Sequence, residues 1–230
     1  MNTTASGITE AEIIPEASPY ENGKPTYPKL FWLFMIASIA GVIIEGVWYY
    51  FQHDRWETHV VSVWGPFCII YGLGASGCYA ANYYLRGKNI LIKFLVYALV
   101  GDGVELVCGL VLRYTLNMKA WDYTGYPLNF MGLICIKMTI IWGIAGLAFG
   151  FLTPLVDCGL AWLTGKFWDT ACLVLTVFMI VNFTLTGICL ARWASRHKGH
   201  APANSFTKWI DDTYDDEYMD KRFCEWHFRD

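Results

Sequence analysis

Four ionisable residues sit where an unpaired charge is expensive. Glu45, Asp102, Glu105 and Lys137 each fall inside an apolar run long enough to cross a lipid bilayer. An ionised side chain at mid-membrane costs about 2.5–3.5 kcal/mol on insertion scales, so such residues should face a bundle interior and find partners there. Asp102 and Glu105 are three residues apart and share one helix face. Gly101 and Gly109 flank Glu105 at four-residue spacing, which invites close approach of a neighbouring helix. Lys137 and Arg113, the latter about two turns beyond Glu105, are the candidate counter-charges. Such a cluster could line a polar site for a cation, a proton or a cationic headgroup. It could equally be a buried Glu–Lys pair that fixes helix register.

A second group of residues would support such a site from the loops. Trp121-Asp122-Tyr123, then Pro127 and Asn129, precede the fourth apolar run. Aromatic residues suit a membrane interface, and Asp122 between them reads as a helix cap or as the orienter of an arginine such as Arg113 or Arg55. Gly65-Pro66, followed by Tyr71, Gly72, Gly74 and Gly77, marks thin side chains. Close helix packing explains them, and so does a broken or re-entrant segment lining a cavity. His53 and His59 share the first loop with Asp54 and Glu57, but their spacing matches no ligand pattern, so they read as solvated loop residues and no metal is expected. No cofactor is expected either: the chain has no nucleotide-binding loop, no Rossmann fingerprint and no Ser-His-Asp set in context. If ATP is used, a partner ATPase or another membrane subunit must supply its site.

The elements that position these residues are membrane helices. Of 230 residues, 55% are hydrophobic and only 16% charged, and the mean hydropathy is +0.34, which places the bulk of the chain in lipid. The expected fold is all-α, a polytopic helical membrane protein with about five transmembrane helices. The spans fall at about 30–51, 60–85, 94–112, 128–153 and 170–191. Residues 1–29 read as a flexible polar tail. Pro154 and Asp157 suggest a short amphipathic connector between the fourth and fifth spans. Residues 193–230 read as a soluble tail in which Ser205 could cap a short helix carrying Phe206, Trp209, Ile210 and Thr213 on one face. The eight cysteines fall mostly in apolar runs, form no C-x-x-C pair and read as small core residues. Basic residues divide evenly between the two sides, with a lean towards a cytoplasmic carboxy-terminal tail. The net charge of -3 and the acidic tail make nucleic acid an unsuitable partner; the lipid bilayer is the expected one.

The organisation contains an echo. Gly41-x-x-x-Glu45 in the first span is matched by Gly101-x-x-x-Glu105 in the third, and Ile69-Ile70-Tyr71-Gly72 in the second by Ile140-Ile141-Trp142-Gly143 in the fourth. Short matches arise by chance in apolar sequence, so a tandem two-helix repeat is an expectation for the structure to test.

Gly41-x-x-x-Glu45, Trp64-Gly65-Pro66 with Tyr71-Gly72-x-Gly74, Glu105, Trp121-Asp122-Tyr123, Asn129, Gly132-Leu133-Ile134-Cys135 and Trp142-Gly143 together resemble the putative ABC-transporter type IV permease family. These are small bacterial polytopic membrane proteins related to uncharacterised vertebrate transmembrane proteins, and the resemblance covers roughly residues 31–225. Where that family usually carries an Asn-Arg-Gly run, this chain has His59-Val60-Val61. The resemblance implies a permease-like or accessory transport component of the cell membrane, crossing it several times; whether the chain is an enzyme stays open, with the lean towards none. The alternatives are a membrane-embedded enzyme acting on a lipid headgroup, and a non-catalytic assembly or scaffold protein.

Overall fold

The computed structural model describes residues 23–229; residues 1–22 and 230, which include most of the polar tail, lie outside them. Helix α1 (Tyr27–His53) opens with a proline in its first turn and ends where Asp54 adopts a left-handed conformation, φ 52°. Helix α2 covers Ile69–Tyr84. Helix α3 (Ile90–Val111) is capped by Asn89, whose side chain accepts from the Ile92 N–H at 2.9 Å. One π-helical turn, Leu112–Leu116, continues it. The short strands β1 (Met118–Lys119), β2 (Asn129–Phe130) and β3 (Ile134–Cys135) precede helix α4 (Ile136–Ala161), and helix α5 (Lys166–His197) follows. The tail forms helix α6 (Ser205–Thr213), helix α7 (Asp216–Arg222) and strand β4 (His227–Phe228).

Among the described residues, four helical stretches are long and apolar enough to cross a membrane: Tyr27–His53, Ile90–Leu116, Ile136–Ala161 and Lys166–His197. Their outer faces carry exposed Ile44, Leu99, Phe151, Leu155, Leu173 and Ile180, an apolar surface that suits lipid and not water. The molecule is an all-α polytopic membrane protein.

Helix α2 is the exception in length. Its 16 residues span about 24 Å, less than the roughly 30 Å hydrocarbon core. The apolar run at 60–85 is helical only in its second half. From His53 the chain turns back along α1 without regular structure, bending through residues 62–66 so that the Val61 N–H donates to the Phe67 carbonyl at 2.8 Å, until the Cys68 N–H donates to the Ser38 carbonyl, halfway along α1, at 3.1 Å. Non-helical backbone at this depth needs partners from the protein. The Val63 N–H donates to Thr186 Oγ1 at 3.0 Å and the Trp64 N–H to Asn182 Oδ1 at 3.2 Å, while Asn182 Nδ2 returns a bond to the Trp64 carbonyl at 2.9 Å. Asn182 and Thr186 are four residues apart on α5, so one helix face serves both groups. From the tail, Arg222 Nε donates to the Ser62 carbonyl at 2.8 Å and Tyr218 Oη to the Val63 carbonyl at 2.9 Å, and Arg222 also reaches the Gly65 carbonyl.

The fourth apolar run also divides differently from its reading in sequence. Residues 129–135 form the β2–β3 hairpin, and α4 runs through Pro154 to Ala161. Proline removes one bond to the carbonyl four residues back and crowds it; that residue is Gly150, which has no side chain to add to the crowding. Thr153 is held beside it, donating to the Phe149 carbonyl at 3.2 Å and accepting from Asn82 Nδ2 at 3.0 Å. The connector expected over 154–165 is therefore only residues 162–165.

The tail is packed against the bundle. Ile210, Tyr214, Met219, Phe223 and Trp226 form one buried cluster with Val63, Leu112, Met118, Leu185, Cys189 and Trp193. Strand β4 pairs antiparallel with β1. The cap of α6 is Asn204 and not Ser205: its side chain accepts from the Thr207 N–H at 2.9 Å, and Thr207 closes the capping box. Of the expected stripe, Ile210 is buried while Phe206, Trp209 and Thr213 face outward. Asp211 bridges Arg192 and Arg196, each at 2.6 Å. These two guanidinium groups hold its carboxyl below the usual carboxylate range. The α1–α2 and α3–α4 connections and the tail thus gather at one end of the bundle, and the connections at 85–89 and 162–165 lie at the other.

Candidate functional site

The echo in sequence is an echo in space. Gly41 leaves room for Tyr71: a Cβ at Gly41 would collide with the Tyr71 ring, and the Tyr71 hydroxyl engages Glu45, one turn further on. Gly101 does the same for Trp142, whose Nε1 donates to Glu105 Oε1 at 3.0 Å. The glycines beside the two aromatic residues complete the correspondence, because Gly72 packs against Phe34 and Gly143 against Phe94, each seven residues before the matching glycine. Helices α1 and α2 thus pair as α3 and α4 do. The two pairs meet where the Tyr71 and Trp142 rings stand 6.4 Å apart, and Glu45 and Glu105 lie within electrostatic range of one another.

Glu105 is the more enclosed carboxylate, 5% exposed. Oε1 is held by Trp142 and Tyr123 lies against the group, but Oε2 has no protein partner. Asp102, on the same face, accepts from Thr139 Oγ1 at 2.7 Å through Oδ2 and leaves Oδ1 unpartnered. Two buried acceptor atoms from adjacent carboxylates therefore go unsatisfied, a costly arrangement that a proton or a bound donor would relieve. The loop before α4 closes this side: Leu133 packs on Gly109, Trp121 Nε1 donates to the Leu133 carbonyl at 2.9 Å, and the Tyr123 N–H to the Gly132 carbonyl at 2.8 Å.

Glu45 has different company. His59, expected as a solvated loop residue, is buried, and its Nδ1 lies 2.5 Å from Glu225 Oε2 and 3.9 Å from Glu45 Oε1. Burial disfavours the imidazolium, but the contact with Glu225 and the charges of Glu45 and Glu57 outweigh it, so the His59 pKa is raised. Glu225 lies 166 residues from His59 in sequence, and no spacing signal could have joined them.

The other expected site residues lie around the carboxylates without pairing with them. Lys137, at the start of α4, is exposed and stands over the Tyr126 ring at 5.1 Å. Arg113 Nη2 donates to the Met131 carbonyl at 2.7 Å, tying the π turn to the hairpin. Arg55 binds Glu57 and the Tyr49 hydroxyl, each at 2.8 Å. Asn129 holds its own loop through the Thr124 and Tyr126 carbonyls and the Gly132 N–H. Asp122 orients neither arginine: it accepts from the Thr124 N–H at 3.0 Å and from Lys119 Nζ at 3.1 Å. Those bonds lower its pKa to about 2, which leaves it without a proton to donate near neutral pH. The buried ion pair of the bundle is one that sequence reading missed, Lys29 with Asp157 at 2.9 Å, with the Tyr79 hydroxyl on the same oxygen. Lys29 looks like a boundary residue by position, yet its side chain is fully buried.

Two helix pairs, each presenting a glutamate to an aromatic residue inside a lipid-facing bundle, define a polytopic membrane protein with a repeated two-helix packing pattern. The family model described as "Putative ABC-transporter type IV" matches residues 32–187, most of the membrane region, and the chain belongs to that family. Its role is transport-related. No solved structure matches the chain.

Proposed function

We propose that the protein is a permease-like or accessory transport component of the cell membrane, with a polar intramembrane site between the two helix pairs. Glu105 and Asp102 form its floor, Glu45 its second wall, and Tyr71, Trp142 and Tyr123 its aromatic lining. The single observation that carries this reading is the pair of unpartnered, buried oxygens, Glu105 Oε2 and Asp102 Oδ1. A purely structural pair would be expected to satisfy both. Their chemistry suits a proton or a small cationic group and excludes an anion. The chain would cross the membrane five times, the second crossing being the bent, non-helical segment 60–68 followed by α2. Energy from ATP would come from a partner ATPase, since the sequence has no nucleotide-binding loop.

The test is native mass spectrometry of the protein gently extracted from its own membrane, comparing wild type with Glu105→Gln. A bound cationic molecule that is lost in the variant, while mass and oligomeric state are kept, supports the reading. The same bound species in both forms would make Glu105 a residue of helix pairing and overturn it.

A further inference from the structure

Beside that site, and sharing Glu45 with it, Glu45, His59 and Glu225 bring one ligand atom each to within 4.8 Å of one another. They come from three separate parts of the chain: α1, the start of the returning segment and the tail. The imidazole is the informative member. Its side chain is 4% exposed, and neither ring nitrogen makes a hydrogen bond in the protein. Nδ1 lies 2.5 Å from a Glu225 oxygen, yet no N–H is directed at that oxygen. A buried imidazole with neither nitrogen hydrogen-bonded, set between two carboxylates, is a donor set that a cation would complete.

We propose that Glu45, His59 and Glu225 bind one divalent transition-metal ion. With bonds of about 2.0–2.2 Å, ligand atoms around a tetrahedral ion stand about 3.3 Å apart. From His59 Nδ1 the Glu225 oxygen is closer than that, at 2.5 Å, and the Glu45 oxygen farther, at 3.9 Å, so on binding the Glu225 carboxylate would draw back and the Glu45 carboxylate close in. One imidazole and two carboxylates favour zinc or manganese, while magnesium, which prefers oxygen ligands and keeps its water, gains little from the imidazole. Three protein ligands leave a position open for water or another donor. The surroundings support the ligands: the Tyr71 hydroxyl engages Glu45, the Tyr49 ring lies 5.3 Å from the His59 ring, and the neighbouring acid Glu57 is already occupied by Arg55. Cys224 Sγ, 3.9 Å from Glu57 Oε2, stands beside the site. A bound ion would fasten the tail to α1 across the mouth of the first helix pair. This goes beyond the transport reading, and its test turns on His59 and Glu225, which the polar site does not include.

The experiment uses the full chain in detergent, stripped with a chelator and titrated by calorimetry with Zn²⁺, Mn²⁺ and Mg²⁺, with bound metal counted by elemental analysis. One Zn²⁺ or Mn²⁺ ion per chain is expected, with Mg²⁺ at least about tenfold weaker. His59→Asn and Glu225→Gln should each weaken Zn²⁺ binding at least about tenfold, whereas Glu57→Gln should leave it unchanged. Near-ultraviolet circular dichroism confirms that each variant is folded. Absorption of a Co²⁺-loaded sample should change in His59→Asn, reporting the lost nitrogen ligand. No binding in wild type, wild-type affinity in folded His59→Asn and Glu225→Gln, or equal loss in Glu57→Gln would each overturn the proposal.

Discussion

The α1–α2 pair and the α3–α4 pair share a frame and differ in what surrounds it. In each, a phenylalanine, a glycine and a glutamate on the first helix meet an aromatic-glycine pair on the second. In the α3–α4 pair the glutamate is closed in by its loop and left with an unpartnered oxygen. In the α1–α2 pair it is 34% exposed and looks out to His59 and the tail. One frame therefore holds two equivalent carboxylates in two environments, and the connecting loops make the difference. The loop before α4 folds over its glutamate; the one before α2 turns back into the bundle and leaves Glu45 open to residues far along the chain.

Breaking the shared frame should have the largest effect. Gly101→Leu forces a side chain into the Trp142 ring and should lower stability by about 3 kcal/mol or more, read as a fall in the thermal midpoint in detergent. Gly41→Leu should cost a similar amount against Tyr71. If only one of the two variants falls, the pairs do not share one packing rule. Asn182→Ala, which strips both bonds from Trp64 and acts on the first pair alone, should cost about 2 kcal/mol. It should also speed thiol labelling of Cys68, which adjoins the returning segment.

Smaller changes sharpen the contrast. Trp142→Phe removes the bond to Glu105 and should cost about 1 kcal/mol, and in a Glu105→Gln background the cost should shrink, as a double-mutant cycle would record. Tyr71→Phe should cost less, since Glu45 has other neighbours. The smallest effect is a pH effect on the tail. The Asp211 pKa is lowered in the folded protein by Arg192 and Arg196, so its contribution is complete above the unfolded value of about 3.9. It is lost as pH falls through the lower folded value. Hydrogen exchange at α6 should quicken only below about pH 4 and should lose that dependence in Asp211→Asn.

Much of this was legible in the residues. Apolar runs punctuated by single carboxylates mark helices in lipid, and the spacing of Gly41 to Glu45 and Gly101 to Glu105 exposes the packing pattern that the two helix pairs share. The boundaries within the runs were not legible. Residues 60–68 carry no charge, and an uncharged non-helical segment packed inside the bundle reads by composition like the start of a helix. What separates them is Asn182 and Thr186, more than a hundred residues away on α5. Pro154 looked like a stop because local preference disfavours it, and helix packing overrode that preference. Lys29 and Asp157, 128 residues apart, could not be paired by spacing, so Lys137 stood in as the expected buried cation.

The grip of Arg222 on the Ser62 carbonyl, across 160 residues of sequence, has a consequence for how the protein is made. Synthesis runs from the amino terminus, so the returning segment reaches the membrane well before its arginine exists. Until then its carbonyls must keep water or a chaperone as their partner, or remain outside the bilayer core. The contacts that hold the returning segment are thus complete only when the tail has been made and packs against it.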